Sequence, residues 1–135
     1  MAYQLQFAQL VEYDLGAPGI SLVVTLKPTG RNVTCAAKID TGADHCIFAR
    51  RFGEDLGFDI EAGFRQRFGT ATGAFYAYGH EVTLSTAGME FDAMVFFAEE
   101  ESFQRNVLGR FGWLDRVVLG LVDYEGKLYL SRHEE

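Results

Sequence analysis

Apolar residues recur at every second position over most of this chain, a spacing that commits it to strands paired through tight turns. Ile20, Leu22, Val24 and Leu26 share one face of such a segment, and after Lys27-Pro28-Thr29-Gly30-Arg31-Asn32 the alternation resumes at Val33, Cys35, Ala37 and Ile39. Period two places these side chains together on an extended chain, whereas a helix would scatter them around its axis. A hairpin ending at Asp40 is predicted. A second hairpin joins Val82 and Leu84, through Ala87-Gly88, to Met89, Phe91, Ala93, Val95 and Phe97. The third runs from Val117 to Val122, turns at Asp123-Tyr124-Glu125-Gly126 and returns over Lys127 to Ser131. Tyr3, Leu5 and Phe7 suggest one further strand. Helical spacing is confined to Phe48, Phe52 and Leu56, where Gly53 costs about 1 kcal/mol relative to Ala, and to a short turn within Phe111 to Arg116. The fold class expected is a mostly β single domain over residues 1–135 with one or two short helices.

Size supports one core: 135 residues rarely divide into two, and the fifteen glycines and two prolines mark no linker. Nineteen acidic against twelve basic residues give a net charge of −7, so no nucleic acid and no anionic membrane is an expected partner. Cys35 and Cys46 make neither a disulfide framework nor a C-x-x-C pair, which points to a reducing, cytoplasmic location. No apolar run nears the ~20 residues of a membrane span, and Met1 to Asp14 lacks the features of a leader.

The sharpest local feature is Ala37-Lys38-Ile39-Asp40-Thr41-Gly42-Ala43-Asp44. A carboxylate where an apolar strand breaks into a tight turn is poorly solvated, and Gly42 allows backbone amides to approach and bond it. Thr41 adds a hydroxyl. Such a site suits an acid whose protonation is tuned for chemistry. A loose twofold organisation accompanies it: the first hairpin leads into Ile39-Asp40-Thr41-Gly42 and the second into Val107-Leu108-Gly109, and only the first copy carries an acid.

Asp40-Thr41-Gly42-Ala43, followed by Ile47 and later by Val107-Leu108-Gly109-Arg110, resembles the aspartic peptidases, in particular their single-domain retropepsin-like branch. The resemblance spans about residues 20–130, and the continuation Phe111-Gly112-Trp113-Leu114-Asp115 is most similar to bacterial members. It implies a closed, barrel-like single-lobe fold with Asp40 as the catalytic acid. Hydrolysis by carboxylates needs one group to accept a proton and another to donate one. With a single D-T-G, the second Asp40 would come from another copy, so the resemblance implies a homodimer acting on an extended peptide or protein substrate, without cofactor or metal. Gly69-Thr70-Ala71-Thr72-Gly73, which on its own reads as a hairpin turn, would be a flap over that substrate. Asp44 and Arg110, otherwise two solvated charges, would pair through a bidentate contact that supports the active-site loop. The alternative function is a catalytically silent homodimeric peptide-binding or dimerisation module of the same fold.

The remaining polar features carry less. His45 is expected to be exposed and without a role, and His80 and His133 have no metal-ligand spacing. Cys46 stands where the family more often has Ser or Thr, and Cys35 reads as core. Glu99-Glu100-Glu101 is expected to be a solvated loop, and the sequon Asn32-Val33-Thr34 to be accidental.

Overall fold

The alternating segments become strands in the computed structural model, which describes residues 1–134. They are β1 (Gln9–Glu12), β2 (Ser21–Lys27), β3 (Val33–Ile39), β4 (Ile47–Phe48), β5 (Phe64–Thr70), β6 (Gly73–Thr86), β7 (Met89–Ala98), β8 (Val107–Leu108), β9 (Val117–Val122) and β10 (Lys127–Arg132). One α-helix, α1 (Arg50–Asp55), and short 3-10 turns at Ile60–Ala62, Leu114–Arg116 and Asp123–Glu125 complete the described elements.

Seven strands form a sheet in the order β2-β3-β8-β4-β7-β6-β5, and β2 also pairs with β6 through Thr25↔Ser85, Leu26↔Leu84 and Lys27↔Thr83. That extra pairing closes six strands into a barrel-like ring and leaves β5 outside it. The period-two pattern decides which side chains fill the ring: Val24 is fully buried, while its neighbour Val23 is 67% exposed. Leu22, Leu26, Leu84, Val95 and Phe97 join Val24 inside, with the indole of Trp113 also fully enclosed. Burying a side chain of this size contributes roughly 1.5–3 kcal/mol.

A second, three-stranded sheet has the order β1-β10-β9. Here the N-terminal expectation is corrected. Tyr3, Leu5 and Phe7 lie in no strand, and the terminal strand begins only at Gln9, opposite Leu130. The Ser131 hydroxyl accepts the Ala8 N–H at 2.7 Å and donates to the Gln6 carbonyl at 3.5 Å, so a side chain takes the backbone groups that a strand ladder would use. Phe7 nevertheless packs, its ring against Tyr129 and over Gly120, where a Cβ would stand 2.8 Å from the ring.

The short helix shows why Gly53 stands where helix propensity disfavours it. A Cβ there would lie 2.5 Å from Ile60 and 2.8 Å from the Phe97 ring, so the bare backbone lets α1 seat directly on the barrel. The acidic loop is solvated at Glu100 and Glu101, which lie exposed, but is tied down at Glu99. Glu99 accepts a 2.8 Å hydrogen bond from the Tyr78 hydroxyl, and its carbonyl accepts one from Arg50 at 3.1 Å.

Candidate active site

Two strands from distant parts of the chain end side by side at the centre of the sheet. β3 runs parallel to β8, with Lys38 opposite Val107 and Ile39 opposite Leu108, and the Asp40 N–H continues the ladder to the Leu108 carbonyl at 3.0 Å. Past this point the first chain turns sharply. The Gly42 N–H donates to Asp40 Oδ1 at 3.0 Å and the Ala43 N–H to the Asp40 carbonyl at 3.1 Å, so the turn itself orients the half-buried carboxylate. Thr41 lies exposed beside it.

The segment after β8 then laces to this turn. Arg110 N–H donates to the Ala43 carbonyl at 2.9 Å and Phe111 N–H to the Asp44 carbonyl at 2.8 Å. Gly109 makes the approach possible, since a Cβ would fall 2.3 Å from the His45 carbonyl oxygen and 2.7 Å from that of Ala43. Asn106 braces the same place, accepting the Ala49 N–H at 3.0 Å and donating to the Ala36 carbonyl at 3.2 Å.

Above the turn stands the β5–β6 hairpin. From Ala77 towards Thr86, β6 is held by β7, but over Gly73 to Tyr76 its ladder partner is β5 alone. The hairpin therefore projects beyond the barrel as a two-stranded ribbon. Phe68 and Phe75, opposite one another near its end, stack at 5.3 Å and rest on Phe96 and Phe103. With Ile47, Ala77 and Val107 these rings make a second small apolar cluster apart from the main core.

Between turn and ribbon lies a cleft of about 350 Å³. Asp40, Gly42, Ala43 and Asp44 line its base, Gln66, Arg67, Phe68, Gly69 and Phe75 its roof, and Phe103, Arg105 and Val107 one wall. Of the glycine-rich segment, Gly69 lines the cleft, whereas Thr70, Ala71, Thr72 and Gly73 form an exposed tip outside it. Thr70 pairs with Gly73, whose φ of +155° lets the loop of Ala71 and Thr72 close.

Two sequence expectations are corrected. Asp44 and Arg110 do come together, but through one contact of 3.8 Å between side chains 67% and 56% exposed, not through a bidentate pair. At that distance and exposure the contact is worth less than about 1 kcal/mol. His45 is not a bystander. It lines the cleft half-buried, its ring 4.8 Å from that of Phe96, 5.4 Å from Phe111 and 5.7 Å from Phe68.

Burial holds the His45 pKa below the usual histidine range, against an opposing pull from the Asp44 charge. Below about pH 6.5 the unfolded chain protonates this imidazole while the folded chain resists. The stability this contributes is present above that pH and is lost as the pH falls through the lowered folded value. Urea unfolding over a pH series is expected to show that loss, with a smaller slope in His45→Phe; equal slopes would contradict it.

Neither thiol is poised for chemistry. Burial pushes Cys46 up to about 12 and Cys35 to about 11. His80 packs on Phe58 and meets the Ile60 carbonyl at 3.0 Å, far in role from a ligand. Among the described residues no three metal-ligating side chains gather.

The model of the aspartyl protease family matches residues 24–111 of this chain. The chain belongs to that family. The aspartyl protease match begins within β2, takes in the Asp40 turn, the hairpin and the Gly109-Arg110 segment, and stops before β9. Among solved structures, a retropepsin-like aspartic protease from Rickettsia conorii is similar with a TM-score of 0.60 and 19% identity, covering 82% of this chain and 89% of that one. EIAV protease, complexed with the inhibitor HBY-793, is similar with a TM-score of 0.56 and 19% identity, covering 74% and 88%. The fold is the single-lobe retropepsin-like one. A search of curated proteins gives no match.

Phe103, Arg105 and Gln66 carry no signal in the sequence that marks them for the cleft. Phe103 and Arg105 sit in a segment without periodicity, and only the β8 pairing brings them to the cleft. The aromatic pair Phe68 and Phe75 flanks the glycine-rich segment symmetrically, a signal that was there to be read.

Proposed function

We propose that this chain is an aspartic endopeptidase whose active form is a twofold homodimer, with Asp40 of each copy sharing one proton at the axis. The observation that carries the reading is Asp40 itself: a half-buried carboxylate, oriented by the Gly42 amide, at the base of a cleft roofed by a projecting hairpin. An extended peptide fits between base and roof, where strand-like backbone bonding is available. Asp44, the other carboxylate lining the cleft, has the Arg110 cation as its neighbour rather than a second acid, so a second copy is the natural source of the partner group.

In the dyad two close carboxylates do not both ionise readily, which leaves one base and one acid. The ionised Asp40 takes a proton from water as the water oxygen attacks the scissile carbonyl carbon, and the protonated Asp40 gives its proton to the carbonyl oxygen. Collapse of the resulting diol breaks the C–N bond, and the amine leaves with a proton returned through the dyad. Thr41, Gly42 and Ala43 fix the turn, Asp44 and Arg110 flank it, and Gly69 with the Thr70–Gly73 tip forms the closing roof, which shuts out bulk solvent while leaving the attacking water between the dyad and the scissile bond.

Light-scattering mass and peptide hydrolysis measured across one dilution series test this. Activity per chain is expected to fall in step with the dimer fraction. Constant activity in samples shown to be monomeric would refute the shared dyad. A folded dimer that binds peptides without cutting them would favour a silent peptide-binding module instead.

A further inference from the structure

The segment leading into β8 presents its residues alternately, and this singles out Arg105. Phe103, Arg105 and Val107 line the cleft. The residues between them turn elsewhere: Gln104 donates to the Glu101 carbonyl at 2.6 Å, and Asn106 bridges Ala49 and Ala36. An exposed arginine thereby stands on an otherwise apolar wall, between a phenyl ring and a valine of the second core cluster.

Its charge is unspent. Arg50 engages Glu54 and Glu61, Arg110 meets Asp44 and Arg116 meets Asp115, whereas among the described residues neither Arg105 nor Arg67, the two arginines lining the cleft, pairs with a carboxylate, and of these Arg105 stands on the wall between Phe103 and Val107. Scarcity does not explain this, because acidic residues outnumber basic ones nineteen to twelve. Asp40 and Asp44 line the same cleft without an ion pair to Arg105. A guanidinium presents a planar fork of donors that a carboxylate fills with two parallel hydrogen bonds, and a peptide lying over it would shield the pair from solvent.

We infer that Arg105 is a specificity-determining residue that selects peptides bearing a Glu or Asp side chain next to apolar residues. The inference rests on the proposed peptide-binding role of the cleft. The carboxylate meets the Arg105 fork while the neighbouring apolar side chains lie against Phe68, Phe75 and Phe103. Acidic substrate groups are otherwise disfavoured by a chain of net charge −7, so the preference is confined to positions that reach this wall.

The test uses paired peptides, acetylated and amidated so that no terminal carboxylate competes, in which each position around an apolar centre is Glu in one member and Gln in the other. For wild type the kcat/KM ratio of Glu over Gln is expected to reach about tenfold at one or two positions and to shrink at high salt. Each variant serves as its own reference, because the ratio is taken within it. Arg105→Gln should bring the ratio close to one, Arg105→Lys should retain part of it, and Arg105→Glu should drive it below one. The same peptides, fluorescently labelled, are titrated by anisotropy onto Asp40→Asn with and without Arg105→Gln. Cleavage of the Gln peptides with no Glu preference, or a preference that Arg105→Gln leaves intact, overturns the inference while the peptidase reading stands. Arg105-dependent binding of Glu peptides without any cleavage supports the inference and removes the peptidase reading. Neither cleavage nor Glu-selective binding removes both.

Discussion

Asp40→Asn is expected to lower peptide hydrolysis by about 10³-fold or more, the range that positioned acid–base groups contribute. The substitution is close to isosteric, and the amide oxygen can still accept the Gly42 N–H that now meets Asp40 Oδ1 at 3.0 Å. The turn, the cleft and the chain's assembly should therefore survive. What disappears is the capacity to accept and return a proton, and in a homodimer it disappears from both halves of the dyad together. Hydrolysis is followed at several pH values, with light scattering and thermal unfolding as controls. A variant that unfolds and assembles like wild type but cuts at the wild-type rate would take Asp40 out of the chemistry.

Gly109→Ala is expected to be the most damaging single methyl group that can be added near the site. The new Cβ would stand 2.3 Å from one backbone oxygen and 2.7 Å from another, and backbone cannot rotate aside as a flexible side chain does. A cost of about 3 kcal/mol follows, equivalent to roughly 10 °C in Tm for a domain of this size. Gly69→Ala is the matched comparison, because nothing lies within 4 Å of its added Cβ. Chemical denaturation of the two variants should separate them clearly, and equal stabilities would mean that the contact between the segment after β8 and the Asp40 turn is looser than described.

The sequence made legible those features that depend on neighbours along the chain. Alternation placed β2, β3, β7, β9 and β10 within a residue or two, because each pairs with an adjacent strand and its inward face is continuous. Asp40 was legible as a carboxylate at a strand end. What distant segments decide was not. Tyr3, Leu5 and Phe7 alternate as a strand should, yet the Ser131 hydroxyl captures the neighbouring backbone. His45 gave no sign of its aromatic surroundings, since Phe68, Phe96 and Phe111 reach it from three separate segments. Gly53 and Gly109 look alike as letters, but one meets side chains and the other meets carbonyl oxygens.

The parallel pairing of Ile39 with Leu108 also sets a timetable. Loops that close across half a chain form slowly, because their entropy is lost before their contacts reward it. During synthesis Asp40 leaves the ribosome long before the strand whose carbonyl receives its amide, and a nascent chain holds the acid without its brace. The Asp40 turn is thus braced only once β8 has been made and has paired with β3, while β10, made later still, closes on β1.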